Sequence, residues 1–246
     1  MQNSLLRDIQ TLLERTYSAV GVNLEECLID KKRCRQLTKL AGAQARELHD
    51  LARTFLRRAG GSLHVGIYYD TWLIEELERA DPRRGLNDRN IRALIVFVEE
   101  INHALHAGLK FQAGFRQIDS EDFARGLELQ AMVDTYLVLL LFMAFFRQTK
   151  KLSWHDRRWL RFHLFGRESP AFHSQGLHAR YMETTALARR YTHFLDRLAG
   201  QRRVEEIRTF HALGYGEQRR RILALPAPSL PREDDASPDC DPGIAS

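Results

Sequence analysis

IRALIVFVEEINHALHAGL, residues 91–109, decides how this chain is read. Its first half is apolar on every side: Ile91, Ala93, Leu94, Ile95, Val96, Phe97 and Val98 leave only Arg92 as a polar position. A helix that is hydrophobic all round belongs inside a protein or a membrane. The polar residues Glu99, Glu100, Asn102, His103 and His106 follow without a break in the helical pattern. A central, buried helix that carries acids and imidazoles is therefore expected, and the rest of the fold must wrap it.

Working outward, the sequence predicts helices near 3–19, 24–41, 43–59, 89–109, 120–148, 153–165, 176–199, 202–212 and 215–225. The helix over 43–59 is expected to turn Leu48, Leu51, Ala52, Phe55 and Leu56 inward and to stop at Gly60-Gly61, since glycine often ends helices. LHVGIYY, residues 63–69, is short and rich in β-formers and reads as the chain's one strand. The region Val22–Ile29 is the expected partner for it. Asp70 or Thr71 caps a helix to about Ala80, where Asp81-Pro82 stops it. Ser120 or Asp119, followed by Glu121 and Asp122, starts the long helix after residue 119. The fold class is mainly α: a multi-helix bundle over residues 1–225, with a minor β element near 63–69. Residues 226–246, PAPSLPREDDASPDCDPGIAS, form an acidic tail expected to be disordered.

Across 246 residues, 44% hydrophobic, the chain can fill a core, which excludes collagen-like and disulfide-scaffold classes. The formal charge of +5 divides into −4 on the tail and +9 on the helical part. Arginine supplies 31 of the 37 bases, a bias that codon usage produces as readily as nucleic-acid binding. Three cysteines with no CxxC pair point to a reducing, cytoplasmic setting, and the amphipathic N-terminus lacks the pattern of a signal peptide. TYLVLLLFMAFF, residues 135–146, is too short to span a bilayer and reads as a core helix, with docking on a membrane surface as the alternative. No glycine-rich phosphate loop, GxSxG elbow or EF-hand loop occurs, so nucleotide binding and serine-hydrolase chemistry have no support.

Chemistry is concentrated in Glu99, Glu100, His103 and His106. Glu99 and His103 stand one helical turn apart, so acid and imidazole can share a ligand. Glu100 and His103 make a single Glu-x-x-His, where di-metal bundles need two. EEINH, residues 99–103, also has the layout of the zincin motif HExxH. Glu99 stands in place of the first histidine, Glu100 in the general-base position and His103 as ligand, with Glu128 placed as a third ligand. The lost histidine argues against a working peptidase. Gln130 and Asp134 share a face of the next helix, while Glu128 is rotated roughly 120° from Asp134. Either Glu128 or the Gln130/Asp134 pair is therefore expected to face the central helix. The competing readings are a structural polar cluster, joined by Asn102, His106 and Gln130 and neutralised by Arg180 or Arg190, and a divalent metal, zinc or iron, held by Glu99, His103, Glu128 and Asp134.

Two elements, FVEEINHAL and LELQAMVD, together with LHVGIYYD and ERADPRRGL before them, resemble an uncharacterised bacterial, mainly helical family. That family carries Glu-x-x-Ser-His-like and Leu-Glu-Leu-Gln-x-x-Val-Asp-like elements. Glu99 and His103 match the first, with Asn102 in the serine position; Glu128, Gln130, Val133 and Asp134 match the second. The resemblance covers about residues 20–195 and implies no activity. The reading of the buried polar cluster as structural favours a structural or interaction protein with an unidentified protein partner. A metal-dependent protein and a basic nucleic-acid-associated protein are the alternatives.

Overall fold

In the computed structural model, which describes residues 4–41, 51–149, 152–166 and 175–226, the chain reverses at Gly60-Gly61. Both glycines have positive φ, 56° and 81°, as a two-residue hairpin turn requires. They join β1 (Ala52–Ala59) to β2 (Ser62–Tyr69) in an antiparallel pair running from Ala59↔Ser62 to Ala52↔Tyr69. The expected helix over 43–59 is thus wrong for residues 52–59; residues 42–50 lie outside the described part. The strand at 63–69 is present, but its main partner is β1 rather than Val22–Ile29. That region still touches the sheet: Leu28 bridges Ile67 in parallel, and the Ile29 amide donates to the Ile67 carbonyl at 2.9 Å. Ala, Leu and Arg are good helix formers, but propensity is worth only tenths of a kcal/mol per residue, and cross-strand pairing with a β-rich neighbour outweighs it.

Nine α-helices are present among the described residues. They are α1 (Leu5–Thr16), α2 (Lys31–Ala41), α3 (Thr71–Arg79), α4 (Ile91–Gln112), α5 (Glu121–Phe146), α6 (Trp154–Phe165), α7 (Gln175–Leu195), α8 (Gly200–Ala212) and α9 (Tyr215–Ala224). The stretch 24–41 holds a short 3₁₀ turn, Leu24–Cys27, before α2. Capping follows the sequence: Asp70 accepts from the Trp72 amide, Ser120 from Phe123, and Ser153 and Asp156 form a reciprocal box. The tail from residue 227 onward lies outside the described part.

α4 is central. Leu94, Val98, Ile101 and Leu105 are fully buried on it. Its surroundings are Leu6, Ile9 and Leu13 of α1, Ile67 of β2, Leu73 and Leu77 of α3, and Leu160 and Leu164 of α6. The sheet lies against the same helix: Tyr69 donates to the Phe97 carbonyl at 2.9 Å and its ring meets Phe97 at 4.6 Å. α5 stands between two cores. Tyr136, Leu139 and Met143 join the α4 core, while Leu129, Met132 and Val133 meet Leu187, Tyr191 and Leu195 of α7, Ile207 and Phe210 of α8, and Ile222 of α9. α5 is the one described helix long and apolar enough to cross a membrane, with mean hydropathy 1.9, and two thirds of that window is buried in protein, 67%.

Candidate functional site

The polar residues of α4 separate into two groups because they leave the helix at different angles. Asn102 and His106 are one turn apart and point squarely at α5, whereas Glu99, His103 and Glu100 fan progressively toward a flank. Asn102 and His106 are buried; Glu100 and His103 keep some exposure.

The buried group centres on Asp134. His106 Nε2 lies 2.5 Å from Asp134 Oδ2. The Tyr17 hydroxyl, just past the end of α1, donates to the two carboxylate oxygens at 2.6 and 2.8 Å. Gln130 Nε2 donates to the Tyr17 oxygen at 2.8 Å and to Asp134 at 3.1 Å. The His211 ring of α8 completes the group, 4.9 Å from Tyr17 and 5.0 Å from His106 between centroids. Three segments, the end of α1, α4 and α5, are therefore tied through one carboxylate, and α8 joins them through the ring contacts of His211. Burial, reinforced by Asp134, holds the Tyr17 phenol well above its ordinary range, so it remains a donor. Burial, with His106 and Lys110 nearby, pushes His211 far below the usual imidazole range and keeps it neutral. One step along, Asn102 Nδ2 donates to Thr135 Oγ1 at 3.3 Å.

The flanking group is acidic. His103 Nδ1 lies 3.7 Å from Glu100 Oε2 and its Nε2 lies 3.8 Å from Glu128 Oε2, so the imidazole sits between two carboxylates. Glu99 adds a third acid. Burial, with Glu128 and Glu100 adding to it against the opposing pull of His103, pushes Glu99 up to about 8. Burial alone would lower His103, but the close Glu100 carboxyl and the charges of Glu128 and Glu99 outweigh it and raise the imidazole to about 9. At neutral pH the group is therefore balanced by protons, with an imidazolium at His103 beside a neutral Glu99.

Both expected faces of α5 reach α4. Glu128 meets His103 and the Gln130/Asp134 pair meets His106, so the two do not exclude each other. They do not share a centre, however. Asp134 belongs to a different cluster from Glu99, His103 and Glu128, which breaks up the expected four-ligand metal set. Among the described residues no group of three or more His, Cys, Asp or Glu side chains is arranged to hold a metal ion.

Neither expected arginine neutralises the acids. Arg180 pairs with Glu121 at 3.0 Å, at the start of α5. Arg190 donates to the carbonyls of Leu223, at 3.1 Å, and Leu225, closing the end of α9. Other arginines of the basic stretch are likewise spent within the fold: Arg208 on the Thr16 carbonyl, Arg219 on Glu183, and Arg221 on Glu206. Asp196 gathers Arg157, Arg161 and the Tyr136 hydroxyl, joining α5, α6 and α7. His155, Trp159 and His163 do not converge on a ligand: Trp159 and His163 both contact Asp88, at 3.3 and 3.2 Å.

Tyr17 and His211 are the members that sequence reasoning missed. The signal for Tyr17 is its hydroxyl, since a buried tyrosine usually finds a partner. His211 carries no local signal beyond being a histidine near a helix end. Three surface cavities, of about 560, 440 and 280 Å³, are lined by none of the candidate residues.

Comparison with family models, with curated proteins and with solved structures finds no match. The family likeness accordingly rests on the residues of its short elements alone.

Proposed function

We propose that this chain is a cytoplasmic, bacterial interaction protein whose Glu/His/Asp core is architectural. One observation carries the reading. The side chains best suited to chemistry are engaged with one another between α4 and α5, His106 and Tyr17 by Asp134 and His103 by Glu100 and Glu128. Large apolar groups, by contrast, stand exposed on the outer faces of α5 and α6. A buried acid needs a partner or a proton, and here imidazole, phenol and amide serve. The arrangement resembles a lock on helix packing rather than a site awaiting substrate.

Purified full-length protein tests this directly. It should carry no stoichiometric zinc or iron, its thermal unfolding should be unchanged by a chelator, and Glu99→Ala and His103→Ala should alter stability without altering metal content. One metal per chain, lost with His103→Ala and stabilising when restored, would overturn the reading in favour of a metal protein.

A further inference from the structure

α5 ends in side chains that nothing in the fold requires to be apolar. Leu141 is 51% exposed and Phe145, one turn on, is 76% exposed. Phe145 and Phe142 each contact Phe146, at ring distances of 5.3 and 6.2 Å, so the end of the helix is an aromatic cluster. The helix closes tightly there: Gln148 takes a left-handed backbone, φ 48°, and the Thr149 amide donates back to the Ala144 carbonyl at 3.1 Å. Five residues later α6 opens with Trp154, 41% exposed, and Arg158 lies over its ring at 5.1 Å. α5 and α6 pack on each other, so the two helix ends share one end of a helical hairpin.

The sequence through this end is predominantly basic. Arg157 and Arg161 are held by Asp196; with them, the sequence from 147 to 161 carries Arg147, Lys150, Lys151 and Arg158 against one acid of its own, Asp156. That acid is taken up by the cap of α6 and by Arg147, 3.1 Å away. Solvent-facing phenylalanine and leucine beside tryptophan and arginine is the composition of a surface that dips apolar groups below lipid headgroups and holds their phosphates. A second copy of this chain would bring like charges together at the same place.

We infer that the α5–α6 end is a docking face for an anionic lipid bilayer, with Phe145 and Leu141 entering the acyl boundary and Trp154, Arg147 and Arg158 at headgroup level. The inference rests on the interaction reading above and names its partner. Each nearby base adds attraction to an anionic surface, which salt weakens.

Co-sedimentation with vesicles tests it, comparing pure phosphatidylcholine with a mixture containing about one third phosphatidylglycerol. The protein should bind the mixed vesicles and not the neutral ones. Phe145→Ser and Leu141→Ser, at exposed positions, should each weaken binding several-fold without shifting thermal unfolding, and Arg158→Glu should weaken it about tenfold in low salt. Absence of binding to the anionic vesicles, or binding that all three variants leave intact, overturns the inference. So does a dimer in sedimentation equilibrium that Phe145→Ser dissolves while vesicle binding is absent, which assigns the face to a second copy. None of these outcomes touches the metal and chelator measurements, so failure here is separable from failure of the architectural reading.

Discussion

Replacing Asp134 by alanine removes the one acceptor on which Tyr17, Gln130 and His106 converge. Hydrogen bonds to a charged acceptor contribute about 1.5–3 kcal/mol each. Three such bonds would sum to about 5–9 kcal/mol, but groups in one network are not additive. Deleting one partner of a buried pair costs about 3–5 kcal/mol. With Asp134 only 1% exposed, water cannot replace the lost acceptor. A loss of about 4 kcal/mol is expected, a large share of the 5–15 kcal/mol typical of a whole domain. Asp134→Asn keeps the shape and an oxygen for Tyr17 while giving up the charge, so about 1–2 kcal/mol should be lost. Tyr17→Phe should cost about 1–2 kcal/mol in the parent and far less in the Asp134→Ala background, where the hydroxyl has already lost its acceptor. Urea unfolding followed by circular dichroism at neutral pH measures all four proteins. If Asp134→Ala cost under about 1 kcal/mol, or if the Tyr17→Phe penalty were unchanged in its presence, the tie through Asp134 would not exist as described.

The flanking cluster predicts a pH dependence of stability. Glu99, at about 8 against 4.5, and His103, at about 9 against 6.5, both hold a proton in the fold that the unfolded chain releases earlier. Raised values mean that the folded state binds more protons, so the contribution is full below 4.5 and 6.5 and is lost as pH rises through about 8 and 9. Thermal melts should fall as pH rises from about 4.5 to about 9 and level off above, and Glu99→Gln should flatten the earlier part of that fall; a flat parent profile would contradict the proton-balanced cluster. At the hairpin, Gly61 has φ 81°, so Gly61→Val should cost about 1–2 kcal/mol, whereas Gly60→Asn should be near neutral because asparagine tolerates that backbone. Urea midpoints compare the two, and equal effects would argue against the turn geometry.

What could be read from residues alone follows from local rules. The all-round apolar start of α4 requires a central place, Ser120 and Asp70 announce helix starts through amides they can satisfy, and β2 is evident in its β-branched and aromatic run. β1 was not legible because ARTFLRRA has helical composition and Gly60-Gly61 serves equally as a helix stop or a hairpin turn. Only the partner strand, distant in neither space nor sequence but unnamed by pattern, resolves that choice.

The polar residues show the same division. Sequence alone determined that acids and imidazoles would lie inside helices, since 100° spacing places Glu99, His103 and His106 on the inner side of α4. Which of them meet was decided by tertiary structure: the crossing of α4 on α5 sends His106 to Asp134 and His103 to Glu128, and the ends of α1 and α8 bring Tyr17 and His211. Arg180 and Arg190 were reassigned for the same reason, being nearer to Glu121 and to the carbonyls at the end of α9 than to the buried acids. Periodicity specifies the angle at which a side chain leaves its own helix. The partner it meets depends on helix crossings and loop paths, which are set by how the whole core packs.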